Sequence, residues 1–168
     1  MKRIALLLLL ATSLFAASRP VTTVILVRHA EKAGPEGDVP LSDAGVARAK
    51  ELARVLSGAS VDVIYSTQWK RSTDTAAPLA EALGLTPVIT PTGKTYPQDL
   101  AKRILAENRG QTVVVVGHSN TTMEVLRALG VADPGTIADS QYDDLFVCTI
   151  VEGAAPKLMA LRYGTVAR

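Results

Sequence analysis

Cysteine is nearly absent from this sequence. The single cysteine, Cys148, lies in the apolar run 145–151, so an intrachain disulfide is excluded even in an oxidising compartment. We expect this thiol to be a small buried hydrophobe. Internal repeats, low-complexity tracts and interdomain linkers are also missing, which favours a single domain.

Long hydrophobic runs are lacking except at the start of the chain. Lys2 and Arg3 precede a mostly apolar run over 4–15, and small residues occupy 16–18. This pattern is typical of a secretory signal peptide cleaved after Ser18, since the run is shorter than the ~20 residues of a membrane-spanning helix. We expect an exported protein, periplasmic or secreted, whose mature domain 19–168 is not stably inserted in the membrane.

An excess of one charge is missing once this leader is set aside. The full chain carries 18 lysines and arginines against 16 aspartates and glutamates, and Lys2 and Arg3 account for the difference. A balanced domain has no broad basic surface for nucleic acid or anionic membrane. We expect neither partner, and the sequence leaves the oligomeric state open.

Short β-branched apolar runs alternate with segments of helical period. The predicted strands are 22–27, 61–65, 87–90 and 112–116, with a closing hairpin or edge strands over 145–151 and 157–163. The predicted helices are 44–56, 73–83, 98–107 and 121–129, the first with Val46, Ala49, Leu52, Ala53 and Leu56 on its apolar face. Ser42 and Pro97 suit helix starts, and Gly84 and Gly130 suit helix ends. The alternation predicts an α/β fold, a three-layer sandwich of a mostly parallel sheet with helices on both faces.

The only two histidines come directly after predicted strands. His29 follows strand 22–27 by one residue, and His118 follows strand 112–116 in the same way. Ligands bind beyond the carboxyl ends of strands in open α/β sheets, so both histidines are predicted to face one crevice. Arg28 precedes the first histidine, and Arg71 follows strand 61–65. Because a guanidinium binds phosphate oxygens bidentately, the four residues predict a phosphate site.

These residue types indicate phosphoryl transfer. A neutral His29 can attack phosphorus and form a phosphohistidine that water then hydrolyses. The two arginines and a protonated His118 would stabilise the charge that develops on the phosphoryl oxygens. No metal or cofactor is required. A rival metal triad of both histidines and a carboxylate is disfavoured because two adjacent arginines repel a divalent cation.

Four segments resemble, in order, the motifs of the histidine phosphatase, or phosphoglycerate-mutase-like, superfamily. They are Arg28-His29-Ala30-Glu31, the helix segment 41–49, the segment 65–76 with Arg71 and Thr75, and Gly117-His118-Ser119-Asn120. The resemblance covers nearly the whole mature chain and implies that fold and a metal-independent phosphatase of the small, exported RHAE type. Within these motifs, Glu31 and Asn120 are further substrate-binding candidates.

The general acid that protonates the leaving oxygen is the open position. Larger relatives carry a glutamate between the third strand and the next helix. In this sequence the corresponding segment, residues 87–100, has a single carboxylate, that of Asp99. Asp99 is the first candidate, and Asp143, Asp144, Glu31 or no side chain at all are alternatives. The missing glutamate also allows a weak or inactive periplasmic anion-binding protein of the same fold. The substrate is left open among small-molecule, glycan and lipid phosphates.

Overall fold

The computed structural model describes residues 19–165 as a six-stranded mixed sheet with four helices. The predicted signal peptide, residues 1–18, lies outside this part of the chain. Within 19–165, no helix is long and apolar enough to cross a membrane.

Six strands form one sheet with a parallel centre. They are β1 Val21–Arg28, β2 Val63–Ser66, β3 Val88–Ile89, β4 Thr112–Gly117, β5 Asp144–Val151 and β6 Lys157–Arg162, in the order β3-β2-β4-β1-β5-β6. The pairings from β3 through β1 are parallel, whereas β5 and β6 are antiparallel to their neighbours. The apolar runs of β1 and β4 are buried on both faces, as expected of central parallel strands.

The register of β1 and β4 positions the site. Thr23 pairs with Thr112 at one end, and Arg28 pairs with Gly117 at the other. The two strands therefore finish level with each other, and the residue after each strand is a histidine.

The four helices lie close to their predicted positions. They are α1 Asp43–Leu56, α2 Lys70–Leu83, α3 Tyr96–Glu107 and α4 Ser119–Ala128. The Ser42 side chain accepts a hydrogen bond from the Gly45 N–H at the start of α1, and Pro97 lies in the first turn of α3. Gly84 ends α2 with φ +65°, a left-handed conformation that glycine adopts without steric cost.

The helices cover both faces of the sheet. The face with Ile25, Ile64 and Val114 packs with residues of α1 and α2, and the opposite face packs with residues of α3 and α4. The predicted three-layer α/β sandwich is confirmed. Cys148 is fully buried, and this burial raises the pKa of its thiol to about 11.

The last two strands confirm the predicted tail. β5 pairs with β1, and β6 forms a hairpin with β5 at the edge of the sheet.

The predicted apolar face of α1 is wrong at Val46, which is 42% exposed, while Arg48 is 5% exposed. The buried face of α1 instead includes Gly45, which packs so tightly on Glu31 that an added Cβ would clash with the Glu31 carbonyl oxygen.

Candidate active site

His29 is fixed in the tautomer that a nucleophile needs. Its ring is buried at the end of β1, and its backbone N–H donates to the Gly117 carbonyl oxygen at 2.8 Å. The Nδ1 atom lies 2.8 Å from the Ala30 carbonyl oxygen. A carbonyl only accepts, so Nδ1 carries the hydrogen and Nε2 keeps its lone pair.

The charge state of His29 also suits a nucleophile. Burial lowers the pKa of His29 to about 3, against the opposing effect of the hydrogen bond to Ala30. The nearby charges of Arg28 and Arg71 lower this pKa further. The imidazole is therefore neutral at pH 7, with its lone pair available.

His118 lies beside His29, as the strand-end positions predicted. The two ring centroids are 5.2 Å apart in an edge-to-face arrangement, and His118 Nε2 lies 3.1 Å from Thr67 Oγ1. Burial, followed by the charges of Arg71 and Arg28, lowers the pKa of His118 to about 4. His118 is therefore neutral at pH 7 in the protein alone, and its protonated form in a site that holds a phosphoryl group stays a prediction.

Arg28 presents one nitrogen of its guanidinium for a ligand. Its Nη1 donates to the carbonyl oxygens of Ala138, Asp139 and Gln141 at 3.0, 2.8 and 3.0 Å. Its Nη2 has a long 3.4 Å contact with the Tyr142 hydroxyl, and its buried Nε has no hydrogen-bond partner in the described part of the chain. Burial lowers the pKa of Arg28 from its ordinary value, but an arginine remains charged at working pH. Nη2 is therefore the guanidinium nitrogen with the weakest partner and the one that an anion oxygen can engage.

Arg71 reaches the same site from the first turn of α2. Its guanidinium carbon lies 4.9 Å from the centre of the Trp69 ring, and Nη1 makes a 3.4 Å contact with the Gly37 carbonyl oxygen. After burial, the charge of Arg71 is the largest cause that lowers the pKa of His118. The structure therefore brings Arg71 together with Arg28 and both histidines.

Glu31 has a different partner from the one that the sequence suggested. Arg48 donates to both carboxylate oxygens, from Nε at 3.0 Å to each and from Nη2 to Oε1 at 2.7 Å. Arg48 also donates to the carbonyl oxygens of Tyr163 and Thr165. This pairing with the buried Arg48 holds the segment after His29 in place, and the predicted roles of Glu31 in binding substrate or donating a proton would require the pair to open.

Asp99 is not brought to the histidines. It is exposed in the first turn of α3 and lines a cleft of about 310 Å³, whose other walls include Ile89, Thr90, Tyr96, Leu100 and Arg103. This cleft follows β3, which lies three positions from β1 in the sheet, about 14 Å at ordinary strand spacing. The geometry thus disfavours Asp99 as the general acid.

The two aspartates at the start of β5 are also engaged elsewhere. Arg162 Nη1 lies 2.8 Å from a carboxylate oxygen of Asp143 and 3.1 Å from one of Asp144. Burial raises the pKa of Asp144, which the charge of Arg162 opposes. Both side chains are less than a tenth exposed, so a role as proton donor would require this ion-pair cluster to open.

Asn120 lies in the first turn of α4, because this helix begins at Ser119 rather than at residue 121 as predicted. Its side chain is exposed and lines a cleft of about 240 Å³ with Arg127 and Ile137. Its role in substrate binding stays a prediction.

Sequence reasoning missed Tyr142. Its ring centre lies 4.1 Å from the guanidinium carbon of Arg28 and 6.1 Å from the ring centre of His29. The sequence offered only a weak signal, the position of Tyr142 directly before the predicted tail strands. Residues 138–142 thus cover Arg28 with three carbonyls and one aromatic ring.

Within residues 19–165, no group of three histidine, cysteine, aspartate or glutamate side chains is arranged to hold a metal ion. The independence of metal therefore stays a prediction.

The two depressed histidine pKa values predict a stability that depends on pH. Unfolding restores a pKa near 6.5 to both rings, whereas the folded values are about 3 and 4. Below pH 6.5 the unfolded chain therefore binds more protons, so the free energy of unfolding decreases as pH falls. Each histidine contributes up to about 1.4 kcal/mol per pH unit in this window.

Urea denaturation between pH 7 and pH 5 measures this effect, because the chain has only two histidines and most carboxylates stay ionised there. We expect His118→Gln to lose about half of the slope. A wild-type slope of zero over this interval would contradict the buried neutral histidines.

Comparison with known proteins finds one family. The model of the histidine phosphatase superfamily (branch 1) matches residues 24–92, which include His29, Arg28 and Arg71. No curated protein sequence matches significantly.

Solved structures share the fold over most of the chain. A candidate phosphohistidine phosphatase SixA from Agrobacterium tumefaciens is 28% identical, with a TM-score of 0.62 over 86% of this chain and 99% of its own. A mycobacterial glucosyl-3-phosphoglycerate phosphatase is 16% identical, with a TM-score of 0.67 over 86% and 100%. An Entamoeba histolytica phosphoserine phosphatase bound to 3-phosphoglyceric acid is 18% identical, with a TM-score of 0.63 over 86% and 98%. The phosphoglycerate-mutase-like architecture is confirmed.

Proposed function

We propose that the chain is a histidine phosphatase, a phosphohydrolase that cleaves phosphomonoesters through a phosphohistidine on His29, and the match of that superfamily's model to residues 24–92 supports the proposal. One observation carries the proposal. A neutral imidazole with its lone pair on Nε2 stands beside an arginine whose Nη2 has only a long contact with the Tyr142 hydroxyl and can turn to an anion. A nucleophile and a pre-organised oxyanion clamp in one buried place are the requirements of phosphoryl transfer.

In the first step, Nε2 of His29 forms a bond to phosphorus as the bond from phosphorus to the leaving oxygen breaks. Arg28 and Arg71 hold the nonbridging oxygens through charge-assisted hydrogen bonds. The negative charge of the phosphoryl group opposes the effect of the arginines on His118 and favours its protonated form. His118 then donates a hydrogen bond to a phosphoryl oxygen.

In the second step, water attacks phosphorus and the bond to Nε2 breaks. The hydrogen bond from Nδ1 to the Ala30 carbonyl holds the ring in one orientation through both steps. Inorganic phosphate leaves and the neutral imidazole is restored.

The proposal also covers the class of substrate and the location of the protein. The names of the similar solved structures refer to three kinds of phosphatase, for phosphohistidine, phosphoserine and glucosyl-3-phosphoglycerate. For this chain we propose an exported small-molecule, glycan or lipid phosphomonoester, because a signal peptide is predicted over 1–18. Recovery of mature protein with Arg19 at its N-terminus would support export, and an uncleaved cytoplasmic chain would contradict it.

Release of inorganic phosphate from p-nitrophenyl phosphate tests the proposed activity. We expect turnover that persists in EDTA and is inhibited by vanadate, which mimics the transferring phosphoryl group. Activity lost on chelation and restored by zinc or manganese would contradict the metal-independent mechanism. Anion binding without phosphate release from any phosphomonoester in a library would instead favour the alternative of an inactive binding protein.

A further inference from the structure

The leaving oxygen needs a proton donor, and three of the carboxylates near the nucleophile have other partners, while a fourth, Asp139, is exposed. Glu31 is held by Arg48, and Asp143 and Asp144 are held by Arg162. Asp99 lines the separate cleft after β3. A donor for this step must therefore be sought among the other groups that face His29.

Among residues 19–165, the hydroxyl hydrogen of Tyr142 has no acceptor. The Arg28 guanidinium donates to the hydroxyl oxygen at a long 3.4 Å, so the hydroxyl proton remains free for another acceptor. The Tyr142 ring lies against the face of Arg28 and is tilted by 57° to the His29 ring. Tyr142 therefore lies between the guanidinium that binds phosphate and the proposed nucleophile.

The position of the hydroxyl fits a bound phosphoryl group. A phosphate oxygen held by Arg28 would lie about 2.8 Å from Nη2, and the Tyr142 hydroxyl lies 3.4 Å from the same nitrogen. The two oxygens would thus contact the same nitrogen, and the leaving oxygen is bonded to the same phosphorus as the oxygen that Arg28 holds. Tyr142 is only partly buried, so its ring can adjust when a substrate enters.

We propose that Tyr142 is the catalytic proton donor to the leaving-group oxygen. This inference rests on the proposed phosphatase activity. As Nε2 of His29 bonds to phosphorus and the ester oxygen departs, the phenol transfers its proton to that oxygen, and the product alcohol and a phenolate result. In the second step the phenolate takes a proton from the attacking water, which restores the phenol. The Arg28 guanidinium, against the same ring, stabilises the phenolate between the two steps.

The test compares Tyr142→Phe with wild type on two substrates, p-nitrophenyl phosphate and an alkyl phosphate such as glycerol phosphate. A nitrophenolate leaves without a proton, whereas an alkoxide requires one. General acid catalysis contributes about 10²- to 10⁴-fold, so we expect kcat for the alkyl substrate to fall by at least about 10²-fold. We expect kcat for the aryl substrate to change by less than about threefold. The phenylalanine keeps the aromatic ring over Arg28, so the variant measures the loss of the hydroxyl proton without a loss of ring packing.

Tyr163→Phe is the matched control. Tyr163 also lies beside an arginine, with its ring 5.7 Å from the guanidinium carbon of Arg48, and its buried hydroxyl has no hydrogen-bond partner. Removal of this hydroxyl should leave kcat unchanged for both substrates. Asp139→Asn tests the exposed carboxylate whose charge acts on Arg28, and we expect no loss that depends on the leaving group.

Equal slowing of both substrates in Tyr142→Phe would overturn the proposal and leave Tyr142 as a residue that positions Arg28. No slowing of either substrate would overturn it too, as would a selective loss of alkyl phosphate turnover in Asp139→Asn. Failure of the proposed function has a different outcome, because the wild-type protein would then release no phosphate from either substrate.

Discussion

Replacement of His29 by alanine is expected to reduce kcat for p-nitrophenyl phosphate by on the order of 10³-fold or more, because the atom that bonds to phosphorus is lost. The fold should remain, since the main-chain hydrogen bond from residue 29 to Gly117 does not depend on the side chain. We expect the free energy of unfolding at pH 7 to change by less than about 2 kcal/mol.

Circular dichroism and urea denaturation of His29→Ala check that the loss is chemical. The variant should also lose part of the pH dependence of stability, because the buried ring with a pKa of about 3 is gone. Turnover within tenfold of wild type in a folded variant would contradict the assignment of the nucleophile.

Replacement of Arg28 by alanine is expected to reduce both activity and stability. Loss of an oxyanion donor typically reduces kcat by about 10²- to 10³-fold. Three main-chain carbonyls, of residues 138, 139 and 141, would also lose their donor. These carbonyls belong to exposed or half-buried residues, so water replaces part of the lost hydrogen bonding, and we expect the free energy of unfolding to fall by about 1 to 2 kcal/mol.

Two companion variants separate these effects. Arg28→Lys keeps the charge but not the planar fork, so we expect it to recover part of the stability and little of the activity. Arg54→Ala removes an arginine that pairs with Glu51 on the surface and is 72% exposed, and we expect no change in either measurement. An Arg28→Ala variant with wild-type kcat would show that Arg28 supports the 138–142 segment only.

The sequence predicted those parts of the site that depend on strand order. His29 and His118 follow apolar strands, and parallel strands end at the same edge of a sheet. The pairing of Arg28 with Gly117 makes that edge level. The position of Arg71 in the site could be predicted because the strand before it belongs to the same parallel sheet. These positions follow from local pattern and one topological rule.

The remaining contacts depend on the tertiary fold. Arg28 meets carbonyls more than 100 residues away, and main-chain carbonyls have no sequence signature. Tyr142 lies in the segment after α4, and only the folded path of that segment places its ring on Arg28. In the sequence, Arg48 is one of several polar residues on a predicted helix. In the structure it is buried, because it pairs with Glu31. Periodicity assigns charged residues to the solvent face, so such buried pairs are missed.

The most direct test of the account is to trap the phosphoryl group on the protein. Wild-type protein mixed with p-nitrophenyl phosphate, quenched within the first turnover at alkaline pH and digested, would be mapped by mass spectrometry. We expect a phosphorylated histidine at position 29 that forms and decays at rates consistent with turnover, and that is absent from His29→Ala. Turnover of wild type without this intermediate, or a phosphoryl group carried on another residue, would contradict the central claim.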